Sequence, residues 1–155
     1  MPYVDICFGN ARDAAKCLGY AEKDKNFIDG DYSICVDEKH MENVRERYGF
    51  TNLITTLRKS ISASDNGWSG AVCSESGLYQ GSGYNLHIVD RVGGGDSFAA
   101  GFLHGILTHM EPDRALEFAL AAAAIKHTIP GDLNYISEEE VLTLMNSDGS
   151  GRVNR

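Results

Sequence analysis

The chain has 155 residues, 43% hydrophobic and 23% charged, with a net charge of -8 at pH 7. That length suits one domain able to bury roughly 70% of its unfolded surface, and the acidic balance excludes a nonspecific grip on nucleic acid, which needs a surplus of Lys and Arg. There is no apolar run of about 18 residues and no charged-then-apolar leader, so neither a membrane span nor a secretory signal is indicated, and a cytoplasmic location is expected.

Residues 3–8 are a short apolar run ending at Gly9-Asn10, the pattern of a buried strand leading into a turn. Residues 11–18 read as a helix capped by Asn10 and closed by Gly19, and 24–31 as an exposed polar loop. Val36, Met41, Val44 and Tyr48 recur at helical spacing among charged neighbours, which predicts an amphipathic helix over 36–48 that Gly49 ends. A strand over 52–57 completes a strand–helix–strand unit, and such a unit implies parallel pairing. The runs 68–73, 77–80 and 84–89, separated by Gly, Ser and Asn, predict an edge meander of antiparallel strands. His87 on the last of them is expected to be structural. Cys7, Cys17, Cys35 and Cys73 form no Cys-x-x-Cys pair, so they read as reduced thiols and not as a zinc site or disulfide framework.

The C-terminal part is helical. A helix over 96–109 carries Phe98, Phe102, Ile106 and Met110 as one stripe, while Ala99, Ala100, Gly101 and Gly105 keep it slim enough for a neighbouring backbone to come close. Pro112 opens a second helix over 113–127, apolar almost all round in its C-terminal half and therefore buried there. Ser137-Glu138-Glu139-Glu140 is a capping box before a last short helix. Residues 148–155 are a Gly/Ser-rich tail.

Between the strand at 84–89 and the helix at 96 lies Asp90-Arg91-Val92-Gly93-Gly94-Gly95-Asp96. A glycine loop feeding a helix N-terminus is an anion site, because the first-turn N–H groups lack partners and the helix dipole is positive there. Two readings stand side by side. Either the glycines only turn the chain and Asp96 is the N-cap, or the amides of Gly93 to Asp96 hold a phosphate while the Asp96 carboxylate takes a proton from an attacking hydroxyl.

The run Asp90-x-x-Gly93-x-Gly95-Asp96-x-Phe98-x-x-Gly101-Phe102 resembles the C-terminal signature of the PfkB (ribokinase-like) carbohydrate kinases. A Walker A loop is absent, and Phe98 stands where a dinucleotide fingerprint needs its third glycine. The resemblance implies a ribokinase-like three-layer α/β/α fold with a mainly parallel sheet and an antiparallel edge meander. Residues 1–147 would be its C-terminal, nucleotide-binding portion. It implies ATP and Mg2+ as cofactors, Asp96 as catalytic base, and Gly93, Gly94 and Gly95 against the phosphates. Asn10 and Asp13, in an Asn-x-x-Asp that stands for the family's Asn-x-x-Glu, would organise magnesium through water.

Thr56-Leu57-Arg58-Lys59-Ser60, in place of the family's Thr-Leu-Gly-x-x-Gly, resembles the bacterial 2-keto-3-deoxygluconate kinases, as does the run from Ala124 to Asp132. On that resemblance Thr56, Arg58, Lys59, Ser60 and Ser62 are nucleotide contacts. Asp90, Arg91 and Asp132 would lie near the sugar acid, and Leu120 stands where the wider family has a nucleotide-touching Asn. The expected partners are ATP and a small sugar acid. The resemblance covers only the second half of a typical member, so a missing N-terminal half or a second copy is expected beside the open side of the first strand. Three functions remain: a sugar kinase, a nucleotide-binding module without turnover, and a scaffold that uses the open sheet side.

Overall fold

The computed structural model describes residues 3–9, 17 and 36–147. Most of the expected helix over 11–18, the loop over 24–31, the metal-associated pair Asn10 and Asp13, and the tail from 148 lie outside the described residues. Within them the strands are β1 (Ile6–Phe8), β2 (Asn52–Ser60), β3 (Asp65–Ser74), β4 (Gly77–Gln80) and β5 (Tyr84–His87). The helices are α1 (Glu38–Tyr48), α2 (Gly94–Leu107), α3 (Pro112–Lys126) and α4 (Glu138–Met145).

The expected strand–helix–strand unit is present: β1 and β2 pair in parallel, with Ile6 opposite Asn52 and Phe8 opposite Ile54. The remaining described pairings, β2–β3, β3–β4 and β3–β5, are antiparallel, so this portion of the sheet is mixed where mainly parallel pairing was expected. The edge also differs from a meander. β5 returns to β3 and not to β4, with Trp68 opposite Tyr84, while Ala71 lies opposite Gln80. Between these pairs β3 has Ser69 and Gly70, and the facing chain has Gly81, Ser82 and Gly83. The one extra residue makes a bulge that splits a single return strand into two. Glu117 of α3 pins it, its Oε1 accepting from the Ser82 N–H at 2.9 Å and the Tyr79 hydroxyl at 2.7 Å.

Helices cover both faces, giving the expected three layers. On one face Met41 and Val44 of α1 pack with Phe50, Leu53, Ala71 and Cys73. On the other, Phe98 and Phe102 of α2 and Leu116, Ala119 and Leu120 of α3 pack on Ile54, Trp68 and Val72. Leu116, Leu120 and Phe102 are fully buried, each stabilising the fold by about 2 kcal/mol. Leu120 is thus a core residue packed under Gly70 and Gly81, which explains an apolar side chain at that position.

The helix boundaries follow from local chemistry. Asp37 caps α1 by accepting from the His40 N–H at 3.0 Å, and Gly49 ends it at φ 73°. Pro112 occupies the first turn of α3. The capping box at Ser137 and Glu140 is formed in both directions, as read from the sequence. α2 starts two residues before Asp96 and ends at Leu107, so Met110 packs against the core from beyond the helix.

Candidate active site

The glycine loop sits where β5 leaves the sheet. Past His87, Ile88 still donates to its register neighbour Ser64 O at 2.7 Å, and the chain then turns onto the end of α3, where Val89 and Asp90 both donate to His127 O, at 2.9 and 3.3 Å. α2 then begins with Gly93 as N-cap, at φ 77° and without any side-chain cap. Asp96 is therefore not the N-cap. It lies in the first turn, exposed, with its carboxylate bonded to no described residue.

Each glycine of the loop has a different surrounding. A Cβ on Gly93 would collide with the Asp132 carbonyl oxygen and come within 3.1 Å of Lys126 Cε. A Cβ on Gly94 would lie 2.6 and 2.8 Å from Cε1 and Nε2 of His127. Gly95 meets nothing within 4 Å and faces open space. The first two glycines rest on a floor made by the end of α3, and the third presents its backbone to whatever approaches.

That floor is built from two buried polar residues that sequence reasoning passed over. His127, beneath Gly94, is 5% exposed. Its Nδ1 lies 2.6 Å from Ala123 O, so Nδ1 carries the proton and donates, and the neutral ring keeps its lone pair on Nε2. Burial pushes its pKa down, and the positive charges of Lys126, Arg91 and Arg58 push the same way. Trp68 lies against the imidazole with ring centroids 4.9 Å apart. The signal was available: Lys126 and His127 are the polar interruptions in a helix half otherwise apolar on every side.

Arg58, Thr56 and Ser60 are placed by the register of β2. They alternate along β2 on the face that also carries Ile54, toward α2 and α3, and Arg58 stands opposite Trp68. All three are strand residues, since β2 runs on through Ser60 where the expected strand ended at Leu57. The turn that follows is closed by Ser62, whose hydroxyl donates to Asp65 Oδ2 at 2.6 Å. That bond, with His87 Nδ1 at 2.8 Å from Asp65 Oδ1, holds the Asp65 carboxyl below the usual range.

Of the residues assigned to the sugar acid, Asp90 is committed to the backbone. Oδ1 accepts from Val92 N–H at 3.0 Å and Oδ2 from Gly131 N–H at 2.8 Å, and these two bonds lower its pKa, with a smaller contribution from Lys126. Arg91 donates from its guanidinium to Ala63 O at 2.8 Å. Asp132 offers its carbonyl to the Gly93 contact and leaves its side chain exposed. An open groove lined by Leu57, Lys59, Gly67, Trp68, Ser69 and Gln80 takes its β2 residues from the opposite face of that strand, and Trp68 is the residue it has in common with the surroundings of His127.

The arrangement suits a phosphate. A glycine loop rests on the buried ammonium stem of Lys126 and the buried imidazole of His127, and a helix N-terminus opens above them with an exposed carboxylate in its first turn. The family profile described as pfkB family carbohydrate kinase matches residues 1–138. The chain belongs to the pfkB family of carbohydrate kinases.

Within the pfkB family, the 2-dehydro-3-deoxygalactonokinase of Haloferax volcanii is 30% identical over 151 residues, which cover 97% of this chain and 41% of that protein. The crystal structure of 2-dehydro-3-deoxygluconokinase from Thermotoga maritima superposes with a TM-score of 0.83 at 38% identity, covering 94% of this chain and 43% of that one. A PfkB family carbohydrate kinase from Listeria grayi gives 0.79 at 31% identity, with 94% and 42% covered. The chain thus spans about two fifths of the length of these pfkB relatives.

Among the described residues no group of three His, Cys, Asp or Glu side chains could hold a metal ion, and no helix is long and apolar enough to cross a membrane.

Proposed function

We propose that the chain carries the phosphoryl-transfer half of an ATP-dependent kinase acting on a sugar acid of the 2-keto-3-deoxyhexonate type, 2-keto-3-deoxygluconate first. The observation that supports this reading best is the helix N-terminus that opens at Gly93 over the buried residues Lys126 and His127, with Asp96 exposed in its first turn. The names of the Haloferax and Thermotoga relatives, kinases of deoxygalactonate and deoxygluconate forms, favour the substrate class.

In this reading the N–H groups of Gly93 to Asp96 receive the oxygens of the transferring phosphoryl group. The helix dipole and the cationic floor offset the charge that develops there. Asp96 takes the proton of the substrate hydroxyl; the hydroxyl oxygen bonds to the γ-phosphorus as the bond to the ADP oxygen breaks. Arg58, with Thr56 and Ser60 along the same strand face, serves the nucleotide. Arg91 and Asp132 flank the sugar acid, and Asp90 acts on it only through the loop shape it fixes. Magnesium would arrive with the nucleotide, held chiefly by phosphate oxygens and water, with Asn10 and Asp13 as assisting residues.

The test is ADP release from Mg-ATP on adding 2-keto-3-deoxygluconate, with Asp96→Asn in parallel. Nucleotide binding is followed by the fluorescence of Trp68, the single tryptophan. Substrate-dependent release that falls about 100-fold or more in the variant, with binding unchanged, is the expected result. Binding without release points instead to a nucleotide-binding module, and absence of both sinks the phosphate reading of the loop.

A further inference from the structure

Arg91 is exposed and makes no ion pair with a described residue, in a chain that carries 22 Asp and Glu against 14 Lys and Arg. Its side chain instead crosses to the turn between β2 and β3, where Nη2 donates to the Ala63 carbonyl oxygen at 2.8 Å. That contact uses one of the five guanidinium donors and leaves the charge without a counterpart, whereas a carboxylate or phosphate takes two parallel bonds and the charge together. Leaving Ala63 costs little, because Ala63 is exposed and water can take the guanidinium's place. The turn has other ties, since Ser62 Oγ holds Asp65 and the Ile88 N–H holds Ser64 O.

The backbone under this side chain is fixed. Asp90 accepts from the Val92 and Gly131 N–H groups, and the Gly94 N–H donates to Arg91 O at 3.3 Å, so the stem starts at the mouth of α2. Even on Ala63 the charge is felt below the glycines, where it helps to lower the His127 pKa. Arg91 is thus a mobile charge on a fixed pivot, with a weak partner on one side and an anion site on the other.

We propose that Arg91 is an exchangeable anion ligand. In the empty protein its guanidinium rests on the Ala63 carbonyl; when an oxyanion, carboxylate or phosphate, reaches the N–H groups of Gly95 and Asp96, the guanidinium leaves Ala63 and closes on it. The exchange ties occupancy of the helix mouth to the freedom of the β2–β3 turn, and by linkage whatever holds Arg91 on that turn weakens the anion. This inference rests on the anion-receiving role proposed for the loop and adds the residue that moves.

The experiment follows the Ala63 carbonyl carbon and the Gly95 and Asp96 amide signals by NMR in the isotope-labelled full chain, titrated separately with inorganic phosphate and with 2-keto-3-deoxygluconate. A carbonyl carbon moves upfield when it loses a hydrogen bond. Ala63 is expected to move upfield and to saturate together with the amide shifts, while the Ser64 carbonyl, bonded to Ile88, stays in place. Movement with phosphate alone identifies a phosphate oxygen as the partner, and movement with the sugar acid alone identifies its carboxylate. In Arg91→Gln the Ala63 carbon should already lie upfield and not respond, and affinity should fall about 5- to 10-fold; Arg91→Lys, which keeps the charge without the fork, should lose less. The proposal is overturned if the amides respond while the Ala63 carbonyl stays put with both titrants, or if Arg91→Gln binds as tightly as the parent. Amides that respond to neither titrant overturn it together with the anion reading of the loop, so the two failures are told apart.

Discussion

Gly94 and His127 are matched at the scale of single atoms: the imidazole occupies the volume where a Cβ would stand. Gly94→Ala should therefore displace the ring or the loop, lowering stability by about 1–3 kcal/mol and weakening phosphate binding, read by urea unfolding and by Trp68 fluorescence titration. The imidazole also makes a pH prediction. Burial holds its native pKa below the ordinary 6.5, so the unfolded chain takes up the proton first as pH falls. Its contribution to stability is complete above 6.5, is lost as pH drops toward the lower native value, and stays constant below that. In His127→Gln the fall in unfolding free energy through this window should flatten. Asp65 and Asp90, both lowered from 3.8, lose their contributions only at more acid pH, so the windows separate. An equal slope in variant and parent would contradict the assignment. At this scale the sequence was legible where chemistry is local. The capping box at Ser137 needs only residues three apart, and the Asp90 to Gly101 signature lies in one run. Lys126 and His127 were not legible as a floor, because what each supports is 33 positions away in the chain.

Elements were read well where periodicity decides and less well where pairing does. α1 and α3 lie within two residues of their expected spans, since an apolar stripe and a proline define them without help from the rest of the fold. The polar residues Arg58, Lys59 and Ser60 fell outside the expected strand because composition says nothing of the partner strand, yet Trp68, Gly67 and Asn66 pair with them. The break between β4 and β5 is likewise tertiary, fixed by Glu117 from a different element. Burial and the Glu117 bond raise the Tyr79 pKa to about 12, the bond being the larger cause. Glu117→Ala should return the Tyr79 ionisation toward 10, seen in an ultraviolet titration, and leave the Ser82 N–H without its acceptor, at a cost of about 1–3 kcal/mol. A Tyr79 titration unmoved by the substitution would separate Glu117 from the bulge.

For the molecule as a whole the charge distribution carries the prediction. A chain of net charge -8 repels polyphosphates at long range, but Arg58 and Arg91 add positive charge beside the loop and Lys126 adds it beneath Gly93. Two of these are exposed, so added salt, with a Debye length of about 8 Å near physiological strength, should weaken nucleotide binding, and Arg58→Gln should make that dependence shallower. Binding that ignores salt would remove the arginines from the site. The loop and its floor also belong to one antiparallel helical pair. α2 and α3 lie close enough that a Cβ on Gly101 would come 2.9 Å from Ala119 Cα, and residues 93–132 contain both the glycines and the side chains beneath them. An anion receptor assembled from such near neighbours in the chain has little loop-closure entropy to overcome, so it can form as soon as the two helices dock. Inorganic phosphate should then act during folding as well as after it, accelerating refolding in stopped-flow experiments in addition to slowing unfolding.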